Sequence, residues 1–400
     1  MVVLKFGGTS VATADLIRMA AQKAIKAKID GNRVVIVVSA MGKTTDKLLA
    51  LSGEITDKPQ RRELDMLLTT GEQVTISLMA MAIKAAGHEA ISLTGGQIGL
   101  ITDAAHTKAR IKEIKTDRID QEHKDGKIVI VAGFQGVDIE GEITTLGRGA
   151  SDTTALALAA VLKADHCTIY TDVDGIYTAD PRMVPHAKKL NSISYDEMLE
   201  MASMGAGIMH NRAIEFAKKY NVEILVRSSV TEAEGTWITK EVEQMESILV
   251  SGVALRKDLA QFVLYGLPNK PGIVASIFSA ISEQNIIVDD IIQNNDGEGL
   301  AACSFTAEHA DLAECKLVIA QLAKEHNIDK IICKDPISKV SVVGVGMRSH
   351  SGVANTMFNA LAAAKVNINS ITTSEIRISC IIDPNDGDLA LKVVHKAFDL

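Results

Sequence analysis

Sliding the last third of the chain against itself by eighty residues, without a gap, brings Gly272 onto Gly352, Phe278 onto Phe358 and Ala280 onto Ala360. The same offset brings Ile286 onto Val366, Val288 onto Ile368 and Ile291 onto Ile371. A repeat of this kind implies two copies of one supersecondary unit that bury their apolar faces by packing together. Each copy reads as a strand (261–266; 340–345), a helix opened by glycine, a strand, a further strand (301–306; 375–382) and a helix. The first copy adds a strand at 328–334, whereas the second runs out in the helix ending at Leu400. A sheet short of one strand leaves unpaired backbone groups that invite wrong partners. The apolar stretch 247–255 stands unassigned just ahead of the first copy, and we expect it to complete the second sheet. The modules are then 259–336 and 337–400, with 247–258 contributed to the second.

Ahead of the repeat, short β-branched runs at 2–6, 34–39, 90–93, 128–134 and 167–171 alternate with helical patterns starting at Thr13, passing through Glu72 and starting at Asp152. That alternation predicts an α/β fold with helices on both faces of its sheet. Continuous apolar strands such as Val34-Val35-Ile36-Val37-Val38 suit a parallel sheet buried on both sides. We expect this domain to span 1–230, with a polar, Glu-rich linker at 231–246 and one last short strand at 236–239.

With 42 Lys plus Arg against 50 Asp plus Glu, the chain carries a net charge of −8, and aromatics make up only 4%. An acidic balance with few stacking residues argues against nucleic acid as a partner. The richest apolar runs fall far short of the ~20 residues of a membrane span, and Met1 leads at once into a core strand, so a cytoplasmic location is expected. Cys167, Cys303, Cys315, Cys333 and Cys380 lie in apolar runs with no Cys-x-x-Cys pair, which reads as buried thiols. The ten histidines form no metal-ligand cluster, so no protein-built metal site is expected.

Three glycine-rich or acidic runs carry chemistry. Lys5-Phe6-Gly7-Gly8-Thr9-Ser10 leaves a strand and enters a helix. Glycines there let a bound group approach the backbone, free N–H groups favour an anion, and Lys5 adds a positive charge. A plain strand-to-helix turn would also use two glycines, though it leaves the lysine unexplained. Thr144 to Thr154 reads Thr-Thr-Leu-Gly-Arg-Gly-Ala-Ser-Asp-Thr-Thr. Asp152 there fits a helix cap as well as a catalytic carboxylate, while Arg148 between Gly147 and Gly149 has room to clamp a carboxylate or phosphate with two bonds. The third run, Tyr170 to Arg182, sits at a strand's carboxyl end, where open α/β sheets bind ligands. Its three aspartates lack the acidic twelfth position of a calcium loop; Tyr177 and Arg182 suit a nucleotide's base and phosphate.

These motifs, with Val38-Ser39-Ala40-Met41-Gly42 and Gly71-Glu72, occur in the order seen in aspartokinases, and the repeat resembles paired ACT domains. The resemblance covers essentially the whole chain. It implies an amino acid kinase three-layer sandwich with a mostly parallel sheet, followed by two ferredoxin-like α+β modules. It further implies that ATP, with Mg2+, phosphorylates the side-chain carboxylate of L-aspartate to give 4-phospho-L-aspartate. That is the first step of lysine, threonine and methionine biosynthesis. By motif match Lys5 and Asp152 are catalytic, Lys5 neutralising charge on the moving phosphoryl group and Asp152 organising the cations. Lys5, Gly7, Gly8, Thr9, Ser10, Thr171, Asp172, Tyr177 and Arg182 fall on ATP-binding positions. Ser39, Thr45, Glu72, Arg148, Gly149 and Ser151 fall on aspartate-binding positions. Aspartate carries two carboxylates and one ammonium, and Arg148 with Glu72 offers the matching charges; its attacking carboxylate is already ionised, so no general base is required.

Regulation is implied as well. Asn269, Gly272, Gln293 and Asn294 in one module, and Ser351, Gly352 and Val353 in the other, are expected to line effector sites for lysine or threonine. The expected assembly is a homo-oligomer or a heterotetramer with a small subunit initiated internally at Met245. Two departures stand out: Gly207 replaces the lysine that usually reaches ATP, and Asn269 stands where an acidic residue is common. The alternative is a catalytically silent amino acid sensor on a kinase fold, against which Lys5, Glu72, Arg148 and Asp152 all speak.

Overall fold

Every side chain of Val2–Phe6, Val34–Val38 and Ile128–Ala132 is buried, because these strands lie side by side in the middle of a sheet covered on both faces. The structure is a computed structural model that describes residues 1–400 apart from 148, 205–208, 241–249, 285, 296–298, 327 and 349–351. Arg148, Gly207, Met245, Ser351 and the start of the 247–258 stretch therefore lie outside the described residues.

The large sheet has eight strands, in the order Ser192–Ser194, Thr236–Thr239, Ile224–Ser228, His166–Thr171, Val2–Phe6, Val34–Val38, Ile128–Ala132 and Ala90–Leu93. All neighbours run parallel except Thr236–Thr239 against Ile224–Ser228. Helices Ala14–Ile29 and Thr70–Ala85 cover one face through Ile17, Ala21, Ala24, Ile76, Met79 and Ile83. Thr13 caps the first of these, its Oγ1 accepting from the Leu16 amide at 3.3 Å. The other face takes the helix Ala150–Val161, in which every residue from 150 to 159 is buried. Alanine and small hydroxyl side chains let this helix approach the sheet closely.

One feature differs from the expectation and one follows it. A second sheet of four strands, Ile111–Ile114, Leu100–Thr102, Gln135–Val137 and Ile143–Thr145, flanks the first; strands of three or four residues show no period to read. The strand Thr236–Thr239 also carries the first unit's sheet beyond residue 230, since Thr236 pairs with Val226.

The chain divides into two compact units: Met1–Tyr177, Lys189–Ser203 and Gly207–Gln244 form one, and Thr178–Lys188, Met204–Ala206 and Met245–Leu400 form the other. In the second unit, strands expected to be separate are continuous. Gly252–Pro268 and Lys330–Val343 run antiparallel through both modules in a six-stranded sheet. The segment from Gly252 to Leu255 pairs with Val343 to Val340 beside the strand Arg377–Ile382, and residues from Leu259 onward pair with Leu300–Glu308. The register shifts between Arg256 and Leu259 and again between Leu259 and Gln261, around Asp258 with φ +60°. An irregularity of this kind bends a strand and strengthens its twist, letting one strand serve two modules. Ala179 and Val184 join Val253, Val340 and Val394 in the apolar core of the second module.

Candidate active site

The site grows from the carboxyl ends of the central strands. Lys5 is the penultimate residue of the buried strand Val2–Phe6, between Val37 and Ile169. Its Nζ stands 2.6 Å from Asp152 Oδ1, with only 11% and 8% of the two side chains exposed. Asp152 lies in the first turn of Ala150–Val161, where a carboxylate is favoured by the positive end of the helix dipole. Its Oδ1 makes no directed hydrogen bond, so the contact is an ion pair.

The turn after Lys5 is a short 3-10 helix, Gly8–Val11. The Gly7 amide donates to the Tyr170 carbonyl at 3.2 Å, and the Ser10 hydroxyl reaches the same oxygen at 3.3 Å. Thr9 is exposed and Ser10 buried. Gly8 has a steric reason to be glycine, since a Cβ there would sit 2.9 Å from the Ala40 carbonyl oxygen and 3.0 Å from that of Gly42. The close approach holds the Gly7 to Ser10 turn against the Ser39 to Gly42 loop, and the Gly42 amide donates to Gly8 O at 2.9 Å.

Glu72 approaches that loop from the helix Thr70–Ala85. Its Oε1 accepts from the Ala40 amide at 3.0 Å, while Oε2 is buried without a hydrogen-bond partner. Burial pushes its carboxyl up to about 7. Gly71 makes room for the contact, because a Cβ there would meet Ala40 Cβ at 2.8 Å. Ser39 and Thr45, both half-buried, sit at the loop and in the first turn of Thr44–Ile55.

Both neighbours of Arg148 are left-handed, Gly147 at φ +90° and Gly149 at φ +67°. Two L-residues flanking the arginine would be strained there, so glycine is what permits the turn. Ser151 is buried, with Oγ 2.7 Å from where a Cβ on Gly133 would stand. On the nucleotide side of the expected set, Thr171 Oγ1 donates to Asp172 Oδ1 at 3.0 Å and Tyr177 donates to Asp174 Oδ1 at 2.9 Å. Arg182 belongs to the second unit, where it grips Asp180 through Nε and Nη2 and holds that carboxyl below its usual range.

In the second unit, Gly272 and Gly352 occupy equivalent places, opening Ile273–Glu283 and Val353–Ala363 at φ +98° and +116°. Asn269 is exposed and its amide donates to Gly299 O; Gln293 and Asn294 are exposed on the strand Val288–Asn295. Val353 is buried.

Three residues escaped the sequence reading. Asp65 is fully buried, half-buried Arg212 donates to two carbonyls near the arginine loop, and His106 joins Asp65. A signal existed for Asp65, which lies seven residues before Glu72 and so on the same helical face.

Among the described residues no group of three or more His, Cys, Asp or Glu is placed to hold a metal ion. The sole helical stretch among them with the length and hydropathy of a membrane span, Arg61–Ala85, is half-buried in the fold and carries Asp65 and Glu72 inward.

These buried charges and glycine turns gather at the strand ends of a three-layer α/β domain. The amino acid kinase family matches residues 1–228, and the ACT domain matches 340–398. Aspartate kinase of Pseudomonas putida is 47% identical over 401 aligned positions, spanning 100% of this chain and 98% of that one. Aspartokinase 2 of Bacillus subtilis is 47% identical over 400 positions, again spanning 100% and 98%. Aspartokinase III of E. coli, solved in complex with aspartate and ADP, has a TM-score of 0.84 over 100% of both chains at 24% identity, a likeness of fold alone. The chain belongs to the amino acid kinase family and, by identity sustained along its whole length, to the aspartokinases within it.

Proposed function

We infer that the chain transfers the γ-phosphoryl group of ATP to the side-chain carboxylate of L-aspartate, releasing ADP and 4-phospho-L-aspartate. The observation that carries this is the buried Lys5–Asp152 ion pair at the point where the Gly7 to Ser10 turn, the Ser39 to Gly42 loop and the first turn of Ala150–Val161 converge. A lysine held there offers charge to a phosphoryl group in transit, and the aspartate offers charge to its cations. Mg2+ supplies charge neutralisation on the ATP phosphates, and a site with few protein carboxylates suits a cation that arrives with nucleotide. Glu72 offers its free Oε2 to the substrate ammonium; Arg148 takes a carboxylate, with Ser39, Thr45, Gly149 and Ser151 around it. Gly7 to Ser10, Thr171, Asp172 and Tyr177 take the nucleotide.

We further propose lysine or threonine as effectors at the loops of Asn269, Gly272, Gln293 and Asn294 and of Ser351, Gly352 and Val353. The left-handed glycines support this, because each opens a helix, and a helix N-terminus favours a small anion such as an amino acid carboxylate. For assembly, a small subunit starting at Met245 keeps the strand Gly252–Pro268 whole but lacks Thr178–Lys188, whose Ala179 and Val184 sit in the same core. A homo-oligomer of full chains leaves that core complete, and we favour it. Expression without a tag should give one band; a second that vanishes when the Met245 codon is changed reverses the preference.

The functional test is coupled ADP release with L-aspartate, L-glutamate and acetylglutamate as acceptors. Turnover with aspartate alone is expected. No turnover despite aspartate binding would make the chain a silent sensor.

A further inference from the structure

Asp65 is fully buried and accepts from four donors. The Thr145 amide and hydroxyl reach it at 3.1 and 2.6 Å, the Thr107 amide touches both oxygens at 3.1 and 3.0 Å, and His106 Nδ1 stands at 2.9 Å. A buried carboxylate is costly unless satisfied in this way. All four donors belong to two segments, the 106–107 turn and the end of the strand Ile143–Thr145, which runs straight into Leu146, Gly147 and Arg148.

A second side chain grips the same segments from the other direction. Arg212 Nη1 donates to the Leu146 carbonyl at 2.8 Å and Nη2 to the Ala109 carbonyl at 3.1 Å, and the Ala109 amide in turn donates to Thr145 O at 2.9 Å. The fork of one guanidinium thus spans both segments, a geometry that an ammonium cannot copy. Gly147 and Gly149, both left-handed, remove local stiffness from this loop, so its position has to be set from outside.

The helix supplying Asp65 also supplies Glu72. Helices Arg61–Leu68 and Thr70–Ala85 run on as one 25-residue rod, broken only at Thr69, whose amide still donates to Asp65 O at 3.1 Å. Seven residues are two turns, roughly 10 Å along one face. One end of that face holds Ala40 through Glu72; the other holds Thr145 through Asp65.

We propose that Asp65 and Arg212 are positioning residues for the substrate carboxylate clamp. Asp65 fixes the distance between Glu72, which meets the ammonium, and the loop of Arg148, which meets a carboxylate, so that the pair selects an amino acid of aspartate's length. The proposal rests on the assignment of Arg148 to the substrate carboxylate made above. Neither residue touches substrate; both act through the backbone of 145–146.

The test is steady-state kinetics on the full chain with Asp65→Asn, Arg212→Lys, Arg148→Lys and the double variant Asp65→Asn/Arg148→Lys. Asp65→Asn should raise the aspartate KM at least ~10-fold, as expected for a lost charge-assisted contact, with the ATP KM within about twofold. In the double variant the aspartate KM should match that of Arg148→Lys alone, because residues acting through one another are not additive. Arg212→Lys should show the same selectivity and serves alone if Asp65→Asn does not fold. Equal rises in both KM values, or effects that multiply in the double variant, would overturn the proposal. If Arg148→Lys raises the aspartate KM while Asp65→Asn and Arg212→Lys do not, the proposal alone fails. If Arg148→Lys leaves the aspartate KM unchanged, the assignment of Arg148 fails and the proposal with it.

Discussion

Lys5 Nζ and Asp152 Oδ1 are 2.6 Å apart in a nearly closed setting, one at the end of a central strand and the other in the first turn of the helix behind it. Each holds the other's charge in place before any substrate arrives. Lys5→Met should therefore lower kcat by at least ~100-fold while changing the aspartate KM little, because the charge matters most when phosphoryl charge is in motion. A variant with kcat retained and both KM values raised would make Lys5 a binding residue only.

Glu72 gives the site a pH dependence. Its folded-state carboxyl titrates at about 7, raised by burial, so in the ligand-free protein it is mostly neutral at pH 6 and mostly ionised at pH 8. Only the ionised form pairs with an ammonium, so the aspartate KM should fall roughly tenfold from pH 6 to pH 8. The stability effect has the opposite sign. A raised carboxyl stabilises the fold fully below its unfolded value near 4.5 and loses that contribution as pH rises through about 7. Glu72→Gln should flatten the KM profile and, above pH 7, protect the ligand-free protein by up to ~3 kcal/mol. A pH-independent KM in the parent would remove Glu72 from the ammonium site.

Gly71 is a helical glycine whose replacement should fail despite helix propensity. Alanine gains roughly 0.5–1 kcal/mol in a helix, but here its Cβ would stand 2.8 Å from Ala40 Cβ, and overpacking of that kind costs about 1–3 kcal/mol. Gly71→Ala should lower Tm slightly and raise the aspartate KM, since Ala40 carries the amide that Glu72 holds. A stabilised variant with unchanged KM would mean that the loop yields freely.

The repeated glycines separate conformation from crowding. At Gly272 and Gly352 an added Cβ meets nothing within 4 Å, yet φ is +98° and +116°. Alanine at either place should cost about 1–2 kcal/mol through backbone strain alone, and should weaken inhibition by lysine or threonine without changing uninhibited kcat. Titration calorimetry on both variants and the parent checks this; unaltered effector binding would move the effector site elsewhere.

Lys339 tests the second unit's core. It is fully buried, with Nζ 2.7 Å from Asp289 Oδ2 and 2.7 Å from Asp290 Oδ2. Lys339→Met removes the nearer of the two cations beside Asp290, leaving Arg377 Nη2 at 3.7 Å, at a cost of up to about 3–5 kcal/mol. Differential scanning calorimetry should show a marked drop in the transition of this unit. A drop below about 1 kcal/mol, the net worth of an ordinary hydrogen bond, would mean that Arg377 together with Thr306 and Thr372, which donate to Asp290, suffices.

The sequence made the repeat and the parallel sheet legible because both rest on long apolar periods, as in Val34–Val38 and the Gly272/Gly352 offset. It hid the four-stranded sheet, whose strand Ile111–Ile114 has no buried residue and two charged ones, and the merging of strands in Gly252–Pro268, since a bend at Asp258 looks like a loop. In the site, residues with a charge next to glycines announced themselves. Asp65 gave only its seven-residue spacing from Glu72, and Arg212 gave nothing, because both act through hydrogen bonds to segments far along the chain.

The most direct test of phosphoryl transfer to a carboxylate is hydroxylamine trapping during turnover with ATP and L-aspartate. An acyl phosphate reacts with hydroxylamine to give a hydroxamate, so one aspartyl hydroxamate should form for each ADP released, and both should collapse together in Lys5→Met. ADP released without hydroxamate, or hydroxamate formed equally well from glutamate, would contradict aspartate as the phosphoryl acceptor.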